Sequence, residues 1–317
     1  MATTSQLAEE ILVEIDRAVV GKRSQLTLIL CGLLAGGHVL LEDLPGLGKT
    51  LAARSFAQTL GLQFSRAQFT PDLLPADLTG SFIFDQRDSE FVFRRGPLFT
   101  GLLLADEINR TPPKTQAALL EAMQEGQVTV EGETFVLDPP FHVLATANPV
   151  EYEGTYPLPE AQLDRFLLRI SFGYPSPEQE WEVLSRRIVR RTEAMQLRRI
   201  VDAETLRGMQ AAVETVTVDE DVGRYCVDLA TATRVHPQVQ LGASPRGALA
   251  LVLTARAYAA IAGRDYVIPE DVKFVARSAL AHRISIKAEL WLSNASGDSV
   301  AEEILASVPT PTPEGRR

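Results

Sequence analysis

The sequence is poor in cysteine: Cys31 and Cys226 are the only two in 317 residues. Two isolated cysteines exclude a disulfide framework and a structural zinc site. Each lies in an apolar helical pattern, which predicts a small buried core residue. Long runs of lysine and arginine are also missing, and the formal net charge is −10. Because so acidic a surface repels phosphate backbones, we expect no nucleic acid partner.

Uninterrupted hydrophobic segments of membrane-spanning length are missing as well. The longest apolar stretch, residues 26–41, is broken by Gly36, Gly37 and His38, so it reads as a helix followed by a strand. Residues 1–6 do not have the basic and then apolar layout of a signal peptide. We therefore expect a cytoplasmic protein with no membrane span.

The pattern of hydrophobic residues changes near residue 175, at a Tyr-Pro-Ser-Pro segment. Before this segment, short apolar runs alternate with amphipathic helices, which predicts a parallel sheet covered by helices. After it, only helical periodicity is found. The length and the 45% hydrophobic content allow two domains. We place an α/β core over 1–175, a helical domain over 176–308 and an unfolded proline-rich tail over 309–317.

Two segments of the predicted core have the alternating pattern of β-hairpins. Residues 81–93 carry phenylalanines on both sides of a polar turn, and residues 127–137 carry valine, phenylalanine and leucine around Gly132. The exposed rings of such hairpins can contact a partner or pack locally. For Phe135 we prefer local packing.

A glycine-rich turn between a strand and a helix is the first chemical signal. Residues 43–50 read Asp-Leu-Pro-Gly-Leu-Gly-Lys-Thr. Gly46 and Gly48 stand where side chains would collide with phosphate oxygens, so that backbone N–H groups can surround a triphosphate. The following helix adds the partial positive charge of its N-terminus. Lys49 would reach the β- and γ-phosphates, and the Thr50 hydroxyl would bind Mg²⁺.

One position departs from the usual phosphate-binding pattern. Asp43 stands where the first glycine is usual, so its side chain has to point away from the phosphates. The strand before the turn and the helix after it are nevertheless as required. We predict that ATP is held by Pro45, Gly46, Leu47, Gly48, Lys49, Thr50 and Leu51.

An apolar run that ends in two carboxylates is the second signal. Residues 102–105 are apolar, and Asp106 and Glu107 follow them. Asp106 would hold the hydration shell of Mg²⁺, which makes Thr50 and Asp106 the predicted metal residues. Glu107 would polarise the attacking water. Together with the glycine-rich turn, this pair predicts a site that hydrolyses the nucleotide and does not merely bind it.

These motifs resemble those of the AAA+ ATPases, and the central run resembles the MoxR family. The resemblance is carried by residues 102–116 (LLLADEINRTPPKTQ), 118–130, 147–149 and 154–166 (GTYPLPEAQLDRF), and it extends over about residues 5–305. It implies an α/β fold class, in which a P-loop AAA+ domain with a parallel sheet binds nucleotide and is followed by an all-α lid domain.

The resemblance also implies roles for five further residues. Asn148 matches sensor 1, which orients the lytic water or contacts the γ-phosphate. Arg165 matches the arginine finger that acts on the nucleotide of the neighbouring subunit. Arg246 matches sensor 2, and Val20 with Gly21 matches the adenine-side loop. The alternatives are an Asn-Pro turn, a surface ion pair of Arg165 with its neighbouring aspartate, and a helix stop at Gly21.

Members of the family act as chaperone-like ATPases, so the resemblance implies partners as well. We expect a homo-oligomer, a hexameric ring, whose hairpins point towards a central pore. The client would be a protein matured or activated by cofactor or metal insertion, with a partner that carries a von Willebrand A domain. The cofactors would be ATP and Mg²⁺.

Other functions are compatible with part of the pattern. The ATPase motor of a metal chelatase is similar to this chain, and so, more remotely, are DNA-directed motors such as clamp loaders and helicases. The acidic balance argues against a DNA-directed motor. Glu107 argues against a nucleotide-gated ring without hydrolysis, and no Asn/Thr-Lys-x-Asp motif of a GTPase is found.

Overall fold

The computed structural model describes residues 2–87, 89–149, 154–192, 195–290 and 295–312. In chain order the strands are β1 (Val39–Glu42), β2 (Phe64–Gln68), β3 (Gly80–Asp85), β4 (Glu90–Arg95), β5 (Leu102–Asp106), β6 (Gln127–Val130), β7 (Glu133–Val136), β8 (His142–Ala147), β9 (Leu168–Ile170), β10 (Val239–Leu241) and β11 (Ser285–Ile286).

The α-helices are α1 (Ala2–Asp16), α2 (Arg23–Leu34), α3 (Lys49–Thr59), α4 (Pro75–Thr79), α5 (Pro113–Glu125), α6 (Glu160–Leu163), α7 (Pro177–Arg190), α8 (Ala203–Glu214), α9 (Glu220–Val235), α10 (Pro245–Ile261), α11 (Pro269–Leu280) and α12 (Gly297–Ser307). Among these, no helix is both long and apolar enough to cross a bilayer.

A parallel sheet in the order β2-β5-β8-β1-β9 forms the centre of the first half of the chain. All residues of β5 and β8 are buried, as expected for central strands covered on both faces. Since successive side chains alternate between the two faces, Leu102 and Leu104 enter one core while Leu103 and Ala105 enter the other. The predicted α/β fold with a parallel sheet is confirmed.

The core on the first face of the sheet continues into the helices of the second half. It joins Ile11 of α1 and Leu30 of α2 to Leu251 of α10 and Val275 of α11, all of them fully buried. Hydrophobic burial therefore does not stop near residue 175, where the sequence pattern changes. The second face is covered by α5 and by the hairpin regions.

Two antiparallel hairpins lie beside α5. The first consists of β3 and β4, over residues 80–95, and the second of β6 and β7, over residues 127–136. The ring of Phe135 stacks on that of Phe93, with centroids 4.1 Å apart and an interplanar angle of 10°. This stack joins the two hairpins, while Phe84 and Phe91 near the tip of the first one are exposed.

The helices that follow β9 begin with well-formed caps. The Ser176 hydroxyl accepts a hydrogen bond from the backbone N–H of Gln179 at the start of α7, and the Gln179 side-chain oxygen accepts one from the backbone N–H of Ser176. Four apolar residues of α7 are more than half exposed: Trp181, Leu184, Ile188 and Val189. Of the predicted tail, residues 313–317 lie outside the described residues.

Candidate ATPase site

A cavity of about 790 Å³ opens where β1, β5 and β8 end. The carboxyl ends of parallel strands meet at one edge of a sheet, and the loops that follow them form a crevice there. The cavity is lined by Ala18, Pro45, Gly46, Gly48, Lys49, Thr50, Leu51, Arg54, Ser55, Gln58, Asp106, Glu107, Thr146, Ala147, Asn148, Met195 and Gln196. The structure thus brings together most of the residues that the sequence places in the nucleotide site.

The glycine-rich loop enters α3 in a conformation that requires glycine. Gly46 and Gly48 have φ angles of 82° and 88°, which side chains other than glycine rarely adopt. Apart from its chain neighbours, an added Cβ at either position would meet no atom of the described residues within 4 Å, so the requirement inside the chain is conformational and not steric. Gly48 caps α3, and the free N–H groups of its first turn provide the anion-binding end of a helix.

Lys49 is almost completely buried at the base of this loop. Its Nζ donates a 2.5 Å hydrogen bond to the backbone oxygen of Asp43. Burial lowers the pKa of Lys49, and the nearby carboxylates of Asp43, Asp106 and Glu107 oppose that shift. The Lys49 ammonium therefore lies among acidic groups, which favour its charged form. In that form it can donate charge-assisted hydrogen bonds to phosphate oxygens.

Asp43 has a structural role in the loop, because its carboxylate holds the loop to the segment after β9. Its Oδ2 accepts hydrogen bonds from the backbone N–H of Gly173, at 2.7 Å, and from the hydroxyl of Ser171, at 3.1 Å. Its Oδ1 accepts one from the backbone N–H of Leu44 at 2.9 Å. The carboxylate is thus directed at the segment after β9 and does not line the cavity.

The two acidic residues at the end of β5 are fixed by one hydroxyl of β8. Thr146 Oγ1 donates to Asp106 Oδ1 at 2.6 Å and accepts from the backbone N–H of Glu107 at 2.8 Å. Glu107 has a φ of 60°, a left-handed conformation that is rare outside glycine. Sequence reasoning did not find Thr146, although a hydroxyl in the otherwise apolar β8 was a signal.

Two polar residues of the edge strand β2 also reach these carboxylates. Arg66 pairs with Asp106 Oδ2 through Nε at 3.1 Å and Nη2 at 2.6 Å, and Nη2 also donates to Gln68 Oε1 at 2.8 Å. Gln68 Nε2 donates to Glu107 Oε2 at 2.8 Å. Sequence reasoning missed both residues, because only the order of strands places β2 beside β5.

Asn148 lies directly after β8 and lines the cavity together with Lys49 and Glu107. It is 6% exposed, and its carbonyl oxygen accepts a 3.1 Å hydrogen bond from Asn109 Nδ2. The structure thus places Asn148 at the end of β8 beside the predicted catalytic residues, and its role as sensor 1 stays a prediction.

Three of the predicted nucleotide residues are not among those that line the cavity. Within the described residues, Val20, Gly21 and Leu47 do not line it. The carbonyl oxygen of Gly21 instead accepts a 3.4 Å hydrogen bond from Gln179 Nε2 of α7. The far end of the cavity is formed by Ala18, which follows α1, and by the segment that carries Met195, which the sequence did not indicate.

Arg165 and Arg246 lie together at a different surface. Both line a second cavity of about 230 Å³, and among the described residues none lines both cavities. Within the described residues, Asp164 pairs with Arg283 at 2.7 Å and not with its neighbour Arg165. It also accepts a 3.0 Å hydrogen bond from Ser244 Oγ, just before Arg246. The structure therefore brings the two predicted arginines to each other and not to the cavity of their own chain.

The donors in the first cavity fit Mg²⁺ bound together with a nucleotide. Thr50 contributes a hydroxyl and Asp106 a carboxylate, both along the cavity wall. Mg²⁺ is usually held by one or two such groups, with phosphate oxygens and waters completing its octahedron. In the part of the chain that the structure describes, no cluster of three or more His, Cys, Asp or Glu residues forms an all-protein cage.

Comparison with known proteins agrees with this geometry. The model of the "ATPase family associated with various cellular activities (AAA)" matches residues 38–168, and that of the "AAA lid domain" matches residues 231–304. The chain is 43% identical to the chaperone MoxR1 of Mycobacterium tuberculosis, over 98% of this chain and 84% of that protein. It is 31% identical to the MoxR protein of Methylorubrum extorquens, over 86% of each. This chain belongs to the MoxR family of AAA+ ATPases.

Further relatives of this MoxR-family chain support the same assignment. The uncharacterized protein YeaC of Bacillus subtilis is 49% identical, over 94% of this chain and 92% of that protein. A crystal structure described as a candidate ATPase of Cytophaga hutchinsonii superposes with a TM-score of 0.91, at 42% identity, over 98% of this chain and 97% of that one. A magnesium-chelatase subunit of Nicotiana tabacum is more distant, at 27% identity over 58% of this chain. A chaperone-like MoxR-type ATPase is thus favoured over a chelatase motor.

Proposed function

We propose that this MoxR-family chain is an Mg²⁺-dependent ATPase whose active site is completed by a neighbouring subunit of a ring. The observation that carries this proposal is the separation of two sets of residues. Lys49, Asp106 and Glu107 line one cavity, while Arg165 and Arg246 line another, and no residue in the described part of the chain lines both. A site that needs both sets is complete only where two copies meet.

Each residue of the first cavity has a role that follows from its chemistry. Lys49 and the N-terminus of α3 hold the phosphates, and Thr50 and Asp106 hold the metal. Mg²⁺, when bound, neutralises charge on the phosphate oxygens. Glu107 polarises the attacking water, and the Asn148 amide orients it. The hydrogen bonds of Thr146 keep both acids of this set in place.

The second cavity supplies the positive charge that the first one needs from outside. The guanidinium groups of Arg165 and Arg246 would stabilise the negative charge that builds on the γ-phosphate in the transition state. A contact between two different surfaces of one protein is heterologous, and it closes into a ring when the rotation between copies allows it. The hexamer remains the expectation given by the family.

The client of such a ring is proposed to be a protein. The name of the relative MoxR1 describes it as a chaperone, and that relative is similar over nearly the whole chain. Phe84 and Phe91 are 49% and 70% exposed near the tip of the first hairpin, where apolar side chains can contact an apolar segment of a client. A partner with a von Willebrand A domain is proposed from the family resemblance alone.

Mixing two inactive variants tests whether the site is shared. Arg165→Ala and Lys49→Ala proteins should each hydrolyse almost no ATP. When they are mixed in equal amounts, about a quarter of the sites in a randomly assembled ring regain both Lys49 and the neighbour's Arg165. Phosphate release should therefore return to a measurable fraction of the parental rate.

A matched mixture shows whether such a recovery comes from sharing. Lys49→Ala mixed with Glu107→Gln should stay inactive, because both residues belong to the first cavity and no combination restores an intact one. Recovery in this control, or none in the Arg165 mixture, would contradict the shared site.

A further inference from the structure

We propose that the Arg66 guanidinium competes with Mg²⁺ for Asp106 and thereby sets how much metal the ATPase needs. This inference rests on the proposed ATP and Mg²⁺ site. It adds to that site a residue of β2, outside both motifs that define it. Arg66 lies beside the cavity and is not among its lining residues.

The hydrogen bonds of Asp106 leave little of its carboxylate for another ligand. Oδ2 accepts two hydrogen bonds from the Arg66 guanidinium, at 2.6 and 3.1 Å, and Oδ1 accepts the 2.6 Å bond of Thr146. A carboxylate offers about four acceptor positions on its two oxygens. Three are thus taken, and two of those three belong to one cation. The fourth position, on Oδ1, is left for a metal-bound water. A hydrated metal ion and Arg66 would therefore be two cations on one carboxylate, and each would weaken the hold of the other.

Charge gives a reason for an arginine at this place. The carboxylates of Glu42, Asp43, Asp106 and Glu107 are all close enough to act on Lys49. A carboxylate as buried as that of Asp106, at 12% exposure, needs a counter-charge near it. Arg66 provides that charge from the side of β2, and a divalent cation in the cavity would provide it from the other side.

The ion pair between Arg66 and Asp106 is weak enough to break when a metal ion binds. The Arg66 side chain is 43% exposed on an edge strand, so its guanidinium can move into solvent without opening the core. Ion pairs with so exposed a partner contribute little to stability. Gln68 Oε1, at 2.8 Å from Arg66 Nη2, offers a second acceptor that keeps the guanidinium near the site. The arginine is therefore placed to release Asp106 and to return to it.

The metal requirement of nucleotide binding tests this role without depending on turnover. Binding of a fluorescent, non-hydrolysable ATP analogue is followed by anisotropy while free Mg²⁺ is varied with a chelator buffer. Arg66→Gln, which removes the charge, should lower the half-saturating Mg²⁺ concentration by about two- to fivefold. Arg66→Met is the second variant and should give the same fall. Arg224→Gln is the control, because Arg224 pairs with Glu220 on an exposed face of α9.

The possible outcomes separate this inference from the proposed function. A higher or unchanged Mg²⁺ midpoint in both Arg66 variants, with normal thermal unfolding, overturns the competition and makes Arg66 an orienting or merely structural residue. A change of equal size in Arg224→Gln overturns it as well, because the effect would then be one of overall charge. If the parent protein itself binds the analogue without any dependence on Mg²⁺, the proposed metal site fails first.

Discussion

The Thr146 hydroxyl donates a 2.6 Å hydrogen bond to Asp106 and so connects β8 to the acidic end of β5. The same oxygen accepts the backbone N–H of Glu107, which stands in a left-handed conformation. Such a conformation costs about 1–3 kcal/mol and persists only where the surroundings hold it. One side chain thus fixes both the proposed metal ligand and the proposed catalytic base.

Replacement of Thr146 by valine should therefore damage the site and the fold together. Thr146→Val keeps the volume but leaves a buried carboxylate oxygen and a backbone N–H without their partner. We expect a loss of about 1–3 kcal/mol in the free energy of unfolding, and a loss of about 10- to 100-fold in ATP turnover. Urea denaturation and phosphate release measure the two. Thr146→Ser, which keeps the hydroxyl, should retain most of both; equal damage in the serine variant would argue against the hydrogen bonds.

Lys49→Ala should remove most of the affinity for nucleotide. The ammonium is buried at the base of the loop, and without it the phosphates lose a charge-assisted hydrogen bond that a neutral group cannot match. We expect ATP affinity to fall by about 100-fold or more, measured by titration calorimetry. Lys114→Ala, a change of the same type on α5 outside the cavity, should bind ATP as the parent does. Tight ATP binding by Lys49→Ala would remove the loop from the site.

Glu107→Gln should separate binding from hydrolysis. The amide keeps the size of the side chain but cannot take a proton from the attacking water. ATP should still bind, while turnover falls by about 100-fold or more. Near-normal phosphate release would mean that another group acts as the base. If hydrolysis is needed to release clients, this variant should also retain them in the presence of ATP.

The protein should become less stable as the pH is lowered, because His38 is buried beside the sheet. Burial, and next the neighbouring His142, lower the pKa of His38 to about 4. Its Nδ1 accepts the backbone N–H of Val143 while Nε2 contacts the carbonyl oxygen of Met123, an arrangement that suits the neutral ring. The unfolded chain binds the proton near pH 6.5. The contribution is thus fully present above that value and is lost as the pH falls towards 4.

The size of this effect follows from the two pKa values. Between pH 7.5 and pH 5, we expect His38 to account for about 2 kcal/mol of lost unfolding free energy. Urea denaturation at both pH values measures it. His38→Gln should be less stable at pH 7.5 yet lose less on acidification; an unchanged pH dependence would assign the effect to other groups.

The sequence was sufficient to predict the parts of the site whose residues lie close together in the chain. The loop around Gly46 and Gly48 and the acids after β5 are each encoded within a few residues, so their strand, turn and helix context could be predicted. Arg66 and Thr146 could not be assigned, because they reach Asp106 from strands on either side of it. Only the order of strands in the sheet decides such neighbours.

The placement of the two arginines shows a second limit of the same kind. Arg165 follows α6 and Arg246 begins α10, and each was assigned by its own motif. That they line one cavity depends on how the helices after β9 pack, which hydrophobic periodicity does not determine. The change of pattern near residue 175 likewise marked a change in secondary structure, while the core of the first sheet face passes beyond it.

That shared core has a consequence for how work could be done. Leu251 and Val275 are buried in one cluster with α1 and α2, so swinging α10 and α11 away from the sheet would expose apolar surface to water. A change in the angle between the two halves of a subunit would therefore cost hydrophobic free energy. In the proposed ring, we expect ATP hydrolysis to rotate whole subunits against each other as rigid bodies. The motion would pass through the contacts between subunits, and not through a hinge opening within one chain.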